Sequence, residues 1–313
     1  MRFLAIGECM AEMAPTDRDG DYRLGFAGDT FNTTWYLART ASDVQLLYLT
    51  AIGDDALSQQ MRSFMCESGI DDQFVQVAQG RTVGLYLISL NHGERSFSYW
   101  RGQSAAKTLA DDSTKLDIAM AFADLIYFSG ITLAILTPDR RDVLLNALRA
   151  ARSNGKTVAF DPNLRPKLWS TETEMTDTIM QGAAVSDILL PSFEDEATWF
   201  NDADPQATAE RYRAVGAKTV IVKNGADPVH YVDGEASGQI AFAPVDTVVD
   251  TTAAGDSFNA GVFGRYAAGE DIAASITYGC TLSRAVIMQR GALVPVEPAS
   301  LETANYMQAR SDA

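Results

Sequence analysis

Cysteine is scarce. The chain has three among 313 residues, Cys9, Cys66 and Cys280, far apart and with no Cys-x-x-Cys spacing, which excludes a disulfide framework and argues against a zinc site. Histidine is scarcer: His92 and His230 are the only two, each in turn-like sequence, so a histidine-centred triad has little to build on and acid–base work falls to carboxylates. Positive charge is short as well. The 25 Lys and Arg against 41 Asp and Glu leave a formal charge of −16, without the basic face that nucleic acid requires. Long apolar runs are also missing. The longest, 125–136, is broken by Ser129, Gly130 and Thr132 and falls short of the ~20 residues of a spanning helix. Residues 1–6 offer too short an apolar stretch for a signal-peptide core of about 7–15 residues, so the expected location is the cytoplasm, with no membrane partner. Neither a Walker A motif nor a Gly-x-Gly-x-x-Gly after a strand occurs, and ordinary P-loop and Rossmann nucleotide sites are therefore excluded.

What is present is a globular composition, 47% hydrophobic and 21% charged, with ample core formers. Short β-branched or aliphatic runs alternate with helix-period stretches: 3–6 then 31–40, 45–51 then 56–68, 125–129 then 139–153, followed by the runs 157–160, 188–190 and 219–222. That alternation predicts an α/β fold with a mostly parallel sheet covered on both faces. Leu125-Ile126-Tyr127-Phe128 and Val220-Ile221-Val222 lack polar alternation and read as strands buried on both sides. No repeat, Pro-rich linker or charge block divides the chain, so one domain over 1–313 is expected.

Two segments break the rhythm. Residues 81–101 read as a hairpin with its turn at Asn91-His92-Gly93-Glu94, and residues 12–26 carry a turn at 17–21; together they predict a small sheet outside the main one. In an extended strand Arg95, Phe97, Tyr99 and Arg101 share one face, and Ser96, Ser98 and Trp100 the other. The first face suits a lid aimed at a ligand, or equally a half-buried, solvated strand.

The most informative stretch is Asp250-Thr251-Thr252-Ala253-Ala254-Gly255-Asp256-Ser257-Phe258-Asn259-Ala260-Gly261, which follows the strand-like 247–249 and runs into a helical pattern over 257–268. Ala253, Ala254 and Gly255 have almost no side chain, so their N–H groups can approach an anion with the helix's positive end behind them. Asp256 beside such an anion is placed to accept a hydroxyl proton, although Asp is also an ordinary N-cap. Gly28-Asp29-Thr30-Phe31-Asn32-Thr33 is a second small-residue element before a helix, and a capped helix accounts for it equally well.

These two elements, in this order, resemble the two signatures of the pfkB, or ribokinase-like, carbohydrate kinases. Further segments, Ile6-Gly7-Glu8-Cys9-Met10, Tyr99-Trp100-Arg101, Ser129-Gly130-Ile131, the run from Asp161-Pro162-Asn163 through Arg165 to Trp169, and Val222-Lys223-Asn224-Gly225-Ala226, are similar to the branch of that family acting on 2-keto-3-deoxygluconate. The resemblance implies a three-layer αβα ribokinase-like fold with a small β lid, ATP and Mg²⁺, and transfer of the γ-phosphoryl to the sugar acid's terminal hydroxyl, giving 2-keto-3-deoxy-6-phosphogluconate. It implies Asp256 as base and Ala253, Ala254 and Gly255 as its anion hole. It implies Gly28, Asp29, Asn32, Tyr86, Tyr99, Arg101 and Arg165 around the substrate, with Glu12 nearby. Asn163, Arg165, Lys223, Asn224, Gly225, Asp227 and Cys280 would lie on the nucleotide side. No protein-built metal site is expected; Ser192 and Asp195 stand where the family places an Asn-x-x-Glu element for Mg²⁺ and phosphates. Ala27 replaces the first glycine of the family's hinge. The lid's apolar residues Leu85, Phe97 and Trp100 permit a homodimer through that sheet. A carboxylate substrate bound by an acidic protein calls for local cations, and Arg101 and Arg165 match carboxylate or phosphate geometry. A neutral-sugar kinase such as a fructokinase, or a non-catalytic sugar- or nucleotide-binding regulator on the same fold, stands as the alternative.

Overall fold

The computed structural model describes residues 1–297 other than 19, 92, 93, 244 and 246, with the backbone alone at 90, 91, 94 and 95. The strands, in chain order, are β1 (Arg2–Ile6), β2 (Met10–Pro15), β3 (Tyr22–Ala27), β4 (Gln45–Ile52), β5 (Val75–Val77), β6 (Gly84–Asn91), β7 (Glu94–Trp100), β8 (Leu125–Ser129), β9 (Thr157–Asp161), β10 (Ile188–Leu189), β11 (Thr219–Val222), β12 (Val229–Asp233) and β13 (Ala236–Ile240). Nine of them form one sheet in the order β13-β12-β11-β10-β9-β8-β1-β4-β5. Its pairs from β11 through β5 are parallel, and β12 and β13 add an antiparallel edge.

The continuous apolar runs form strands because both faces of this sheet are covered. Along β1, Leu4 and Ile6 enter one core cluster while Phe3 and Ala5 enter the other; in β8, Ile126 and Phe128 separate from Leu125 and Tyr127 in the same way. Side chains alternate across a strand, so each strand feeds both layers. The expected strand at 247–249 does not form. Val248 and Val249 are exposed, and the N–H groups of Val249 and Asp250 bond Ile287 O at 2.9 and 3.1 Å instead of a ladder. This β-branched run finds no sheet edge to join.

The remaining four strands build a smaller sheet, β3-β2-β6-β7. It matches the two segments that broke the βα rhythm. The predicted hairpin turn falls partly on residues 92 and 93, and the 17–21 turn includes residue 19, all outside the described residues. One face of this sheet packs Met10, Ala27, Tyr86 and Ile88 against Ala292 and Ala253, which sets the sheet over the turn that precedes Asp256. Among the described residues no helix is long and apolar enough to cross a membrane.

Candidate active site

Strand connections reverse direction around β1, and in open α/β sheets the crevice at the strands' carboxyl ends beside such a reversal is where ligands bind. The chemistry-bearing residues gather there. Glu8 follows β1, Asp161 ends β9, Lys223 follows β11, and the helices Asp29–Thr40 and Ala254–Ala267 point their amino termini toward the same edge. Helix Ala254–Ala267 lies against Ile272–Ile287 by a glycine contact: a Cβ on Gly261 would meet Gly279 Cα at 2.7 Å. That close approach fixes the helix that carries Asp256.

The helix begins from Ala253, whose φ of 60° and ψ of 17° lie in the left-handed region, a conformation costing a non-glycine residue roughly 1–2 kcal/mol. No side chain caps it; Ala254 N donates to Thr251 O at 3.1 Å, and the next N–H groups, those of Gly255 and Asp256, are left to meet an anion. Asp256 does not cap the helix either. It is half-buried, and its Oδ2 accepts from Asn32 Nδ2 at 2.8 Å, while Thr33 Oγ1 donates to its main-chain oxygen at 3.1 Å. Burial pushes its carboxyl up to about 8. Asp29 and Asp161 raise it further, and the Asn32 hydrogen bond and Lys223 oppose.

Asp29, Asn32 and Asn163 join Asp256 in one cluster: Asn163 Nδ2 donates to Asp29 Oδ2 at 2.7 Å, and Gly28 N donates to Asn32 Oδ1 at 3.2 Å. Glycine at 28 has a packing reason, because a Cβ there would lie 2.1 Å from Glu8 O. Under the small sheet, Tyr86 donates to Glu12, and the Tyr86 and Tyr99 rings stand 5.9 Å apart, with Tyr99 53% exposed. A cavity of about 290 Å³ opens beyond Glu12, walled by Ala14, Arg23, Ile88, Arg290 and Gly291 among others; Asp256 is not one of its walls.

The two arginines expected to hold the acid substrate, Arg101 and Arg165, are paired within the chain. Arg101 donates to Glu8, which is 2% exposed, and Arg165 stands 3.7 Å from Asp195. A ligand carboxylate would have to share or displace those partners. Lys223 Nζ donates to Asp161 Oδ2 at 2.8 Å. Asn224, Gly225 and Asp227 form the turn after it, where Asp227 N donates to Asn224 O at 2.9 Å. Cys280 is buried in the second core cluster, its thiol pushed up to about 12 by burial, and it packs as an apolar side chain.

Glu8, Asp161 and Asn259 join this cluster although the sequence did not single them out as site residues. For Glu8 and Asp161 a signal existed: a lone acid at the carboxyl end of an apolar parallel strand. Asn259 lies inside a helical stretch, and only its partners reveal it.

An uncapped helix start beside a carboxylate with a raised pKa, roofed by a small sheet, is an arrangement within an αβα protein that can hold an anion next to a proton acceptor. The sequence model of the pfkB family carbohydrate kinase matches residues 2–299, and the chain belongs to that family. It is 36% identical over 304 residues to the 2-dehydro-3-deoxygluconokinase of Escherichia coli (strain K12), covering 95% of this chain and 98% of that protein. It is 37% identical over 296 residues to the enzyme of the same name from Haemophilus influenzae, covering 92% and 94%. The crystal structure of a fructokinase with bound ATP from Xylella fastidiosa superposes with a TM-score of 0.85 at 22% identity, covering 98% of this chain and 99% of that one; at that identity the likeness speaks for the fold.

Proposed function

We propose that this chain is an ATP-dependent kinase of 2-keto-3-deoxygluconate, also called 2-dehydro-3-deoxygluconate, which phosphorylates the terminal hydroxyl to give the 6-phosphate. The observation that carries the proposal is the Asp256 carboxyl, held by Asn32 beside the uncapped helix start of Ala253, Ala254 and Gly255. The names of relatives at 36 and 37% identity support the choice of substrate.

In this reading the substrate's terminal hydroxyl gives its proton to Asp256 as its oxygen attacks the γ-phosphorus of ATP, and the bond from that phosphorus to the β,γ-bridging oxygen breaks to release ADP. A carboxyl pushed up to about 8 is a stronger base than an ordinary Asp, and a pKa near working pH favours general-base catalysis. The amides at the helix start receive the negative charge spreading over the migrating phosphoryl, which is where phosphoryl transfer gains most. Asp29, Asn32 and Tyr99 bind the sugar acid's hydroxyls, and Arg101 and Arg165 take its carboxylate by sharing it with Glu8 and Asp195. Asn163 and residues 223–227 border the nucleotide.

Phosphoryl transfer from ATP calls for Mg²⁺. Among the described residues no group of three acidic, His or Cys side chains forms a metal cage, so the donor set fits an ion carried in by phosphate oxygens. Asp195 fits it as well: burial and Asp161 push its carboxyl up against the opposing Arg165 and Lys223, an under-compensated acid that favours a cation. Bound, the ion would neutralise phosphate charge, with Ser192 and Asp195 as the residues facing it.

A kinase for a neutral sugar is the second reading, favoured by the pairing of Arg101 with Glu8 and of Arg165 with Asp195, which leaves neither as an uncompensated cation. Release of ADP, followed by a coupled assay with 2-keto-3-deoxygluconate, fructose and ribose, decides. The acid is expected to turn over with the highest kcat/KM; preference for a neutral sugar would select the second reading, and no turnover with any of the three would reject both.

For assembly, we propose a homodimer through the outer face of the small sheet. There Leu24, Met13, Leu87 and Ser98 line up across its four strands, and Trp100, Leu24 and Tyr22 are exposed at 60, 42 and 41%. Sedimentation velocity should give twice the mass of one chain, and Trp100→Glu should shift it to monomer.

A further inference from the structure

Asp161 closes β9 and is 4% exposed. Its Oδ2 accepts from Lys223 Nζ at 2.8 Å and from Asn259 Nδ2 at 2.7 Å, and its Oδ1 accepts from the Asn163 main chain at 3.1 Å. Asn259 Oδ1 lies 3.4 Å from the same ammonium, so one amide touches both ends of the ion pair. Asn259 Nδ2 also reaches the Tyr127 hydroxyl at 3.2 Å, which steadies it from the sheet side.

The direction of the ammonium is given by Gly255. A Cβ built there would stand 3.4 Å from Lys223 Nζ, so the charge sits against the first turn of helix Ala254–Ala267, beside the amide of Gly255. A pair this buried is an inefficient stabiliser, because desolvation offsets most of its attraction. A fixed positive charge at an uncapped helix start, by contrast, strengthens the hold on an anion where the helix's own field already favours one.

We propose that Lys223 is the fixed cation of the phosphoryl-binding turn and that Asp161 and Asn259 are the positioning residues that aim it. The inference rests on the kinase reading above and deepens it: the γ-phosphoryl meets an ammonium as well as amides, without an arginine brought in from elsewhere. No bond is made or broken by Lys223. Its contribution is charge at a set place, present before the phosphoryl arrives.

The charges facing Asp256 make the test sharp. They come from Asp29 on the helix Asp29–Thr40, Asp161 at the end of β9 and Lys223 after β11, with Asn32 as a neutral donor and the phenols of Tyr36 and Tyr127 within electrostatic reach. Removing the cation should raise the Asp256 midpoint, and removing Asp161 should lower it. Two readouts are used on the full chain. The first is kcat and KM for ATP in Lys223→Met, Asp161→Asn and the double variant. The second is the Asp256 midpoint in ligand-free protein by carbon NMR of labelled aspartate, its signal assigned by its loss in Asp256→Asn.

Lys223→Met is expected to lower kcat by about 10²–10³-fold, the cost of removing one donor from an anion hole. The double variant, which restores neutrality to the buried pair, is expected to remain as slow. The midpoint should move up in Lys223→Met and down in Asp161→Asn. Recovery of wild-type kcat in the double variant would mean that Lys223 serves only to balance Asp161, and would overturn the proposal. So would a midpoint that moves in neither variant. Should Lys223→Met not fold, the neutral double variant and Asp161→Asn decide between the same two outcomes. If the wild type turns over no substrate, the kinase reading fails, while the midpoints still test the placement of the charge.

Discussion

The side-chain amide of Asn32 donates to Asp256 Oδ2 at 2.8 Å while its own oxygen accepts from Gly28 N at 3.2 Å. The second bond fixes which end of the amide faces the acid, so the carboxylate always meets a donor. A donor to the ionised form favours it and lowers the pKa. Asn32→Ala removes that donor and should move the acid limb of the kcat/KM profile to higher pH. A profile that stays in place would separate Asn32 from the base.

The wild-type profile itself should carry the mark of Asp256. With its carboxyl pushed up to about 8, the base is protonated and inactive at pH 6 and ionised at pH 9, so kcat/KM should rise about tenfold per unit below pH 7 and level off above 8 to 9. Rates measured from pH 5.5 to 10 with saturating ATP check this. A profile flat from pH 5.5 upward would assign the base an ordinary carboxylate pKa.

The same carboxyl weakens the fold at alkaline pH. Its folded pKa lies above the unfolded value of 3.8, so between those values the folded chain binds more protons, and its stability falls as pH rises. The loss is absent below the unfolded value and complete above pH 8. Asp256→Asn removes the ionisation while keeping an acceptor for Asn32. Chemical denaturation should find the variant about 2–4 kcal/mol more stable than wild type at pH 9, after discounting for the residue's partial exposure, and nearly equal at pH 4. Equal stability at both pH values would count against a buried, ionised Asp256.

The Glu8–Arg101 pair makes a separable prediction. Glu8→Ala leaves the Arg101 charge without its buried partner, and breaking such a pair costs about 3–5 kcal/mol, readable as a lower urea midpoint. Arg101→Ala should raise KM strongly for the sugar acid and little for fructose, if the arginine is shared with the substrate's carboxylate. Equal rises for both would restrict Arg101 to holding the small sheet.

Much of this was legible in the sequence. The runs at 125–128 and 220–222 became doubly buried strands because nothing polar interrupts them, and 12–26 and 81–101 formed the small sheet that their alternation predicted. The helix carrying Asp256 was readable from its small residues, although it begins at Ala254 and its expected strand at 247–249 is exposed coil. Propensity could not know that no edge was available there. What stayed hidden was partnership: Lys223 finds Asp161 across 62 positions and Asn259 finds it across 98, and Glu8 finds Arg101 across 93. Each residue alone looks like an ordinary surface polar group, and only the sheet's carboxyl edge brings them together. The partners of Arg101 and Arg165, Glu8 and Asp195, stayed hidden for the same reason.

The base is tested most directly by turnover of Asp256→Asn with 2-keto-3-deoxygluconate and ATP, measured beside ATP binding by calorimetry. The substitution keeps size and hydrogen-bond acceptance but cannot take a proton. The expected result is a kcat lower by about 10²–10⁴-fold with an ATP Kd within a few-fold of wild type. A variant that binds ATP normally and turns over at the wild-type rate would contradict the assignment and place the proton acceptor elsewhere.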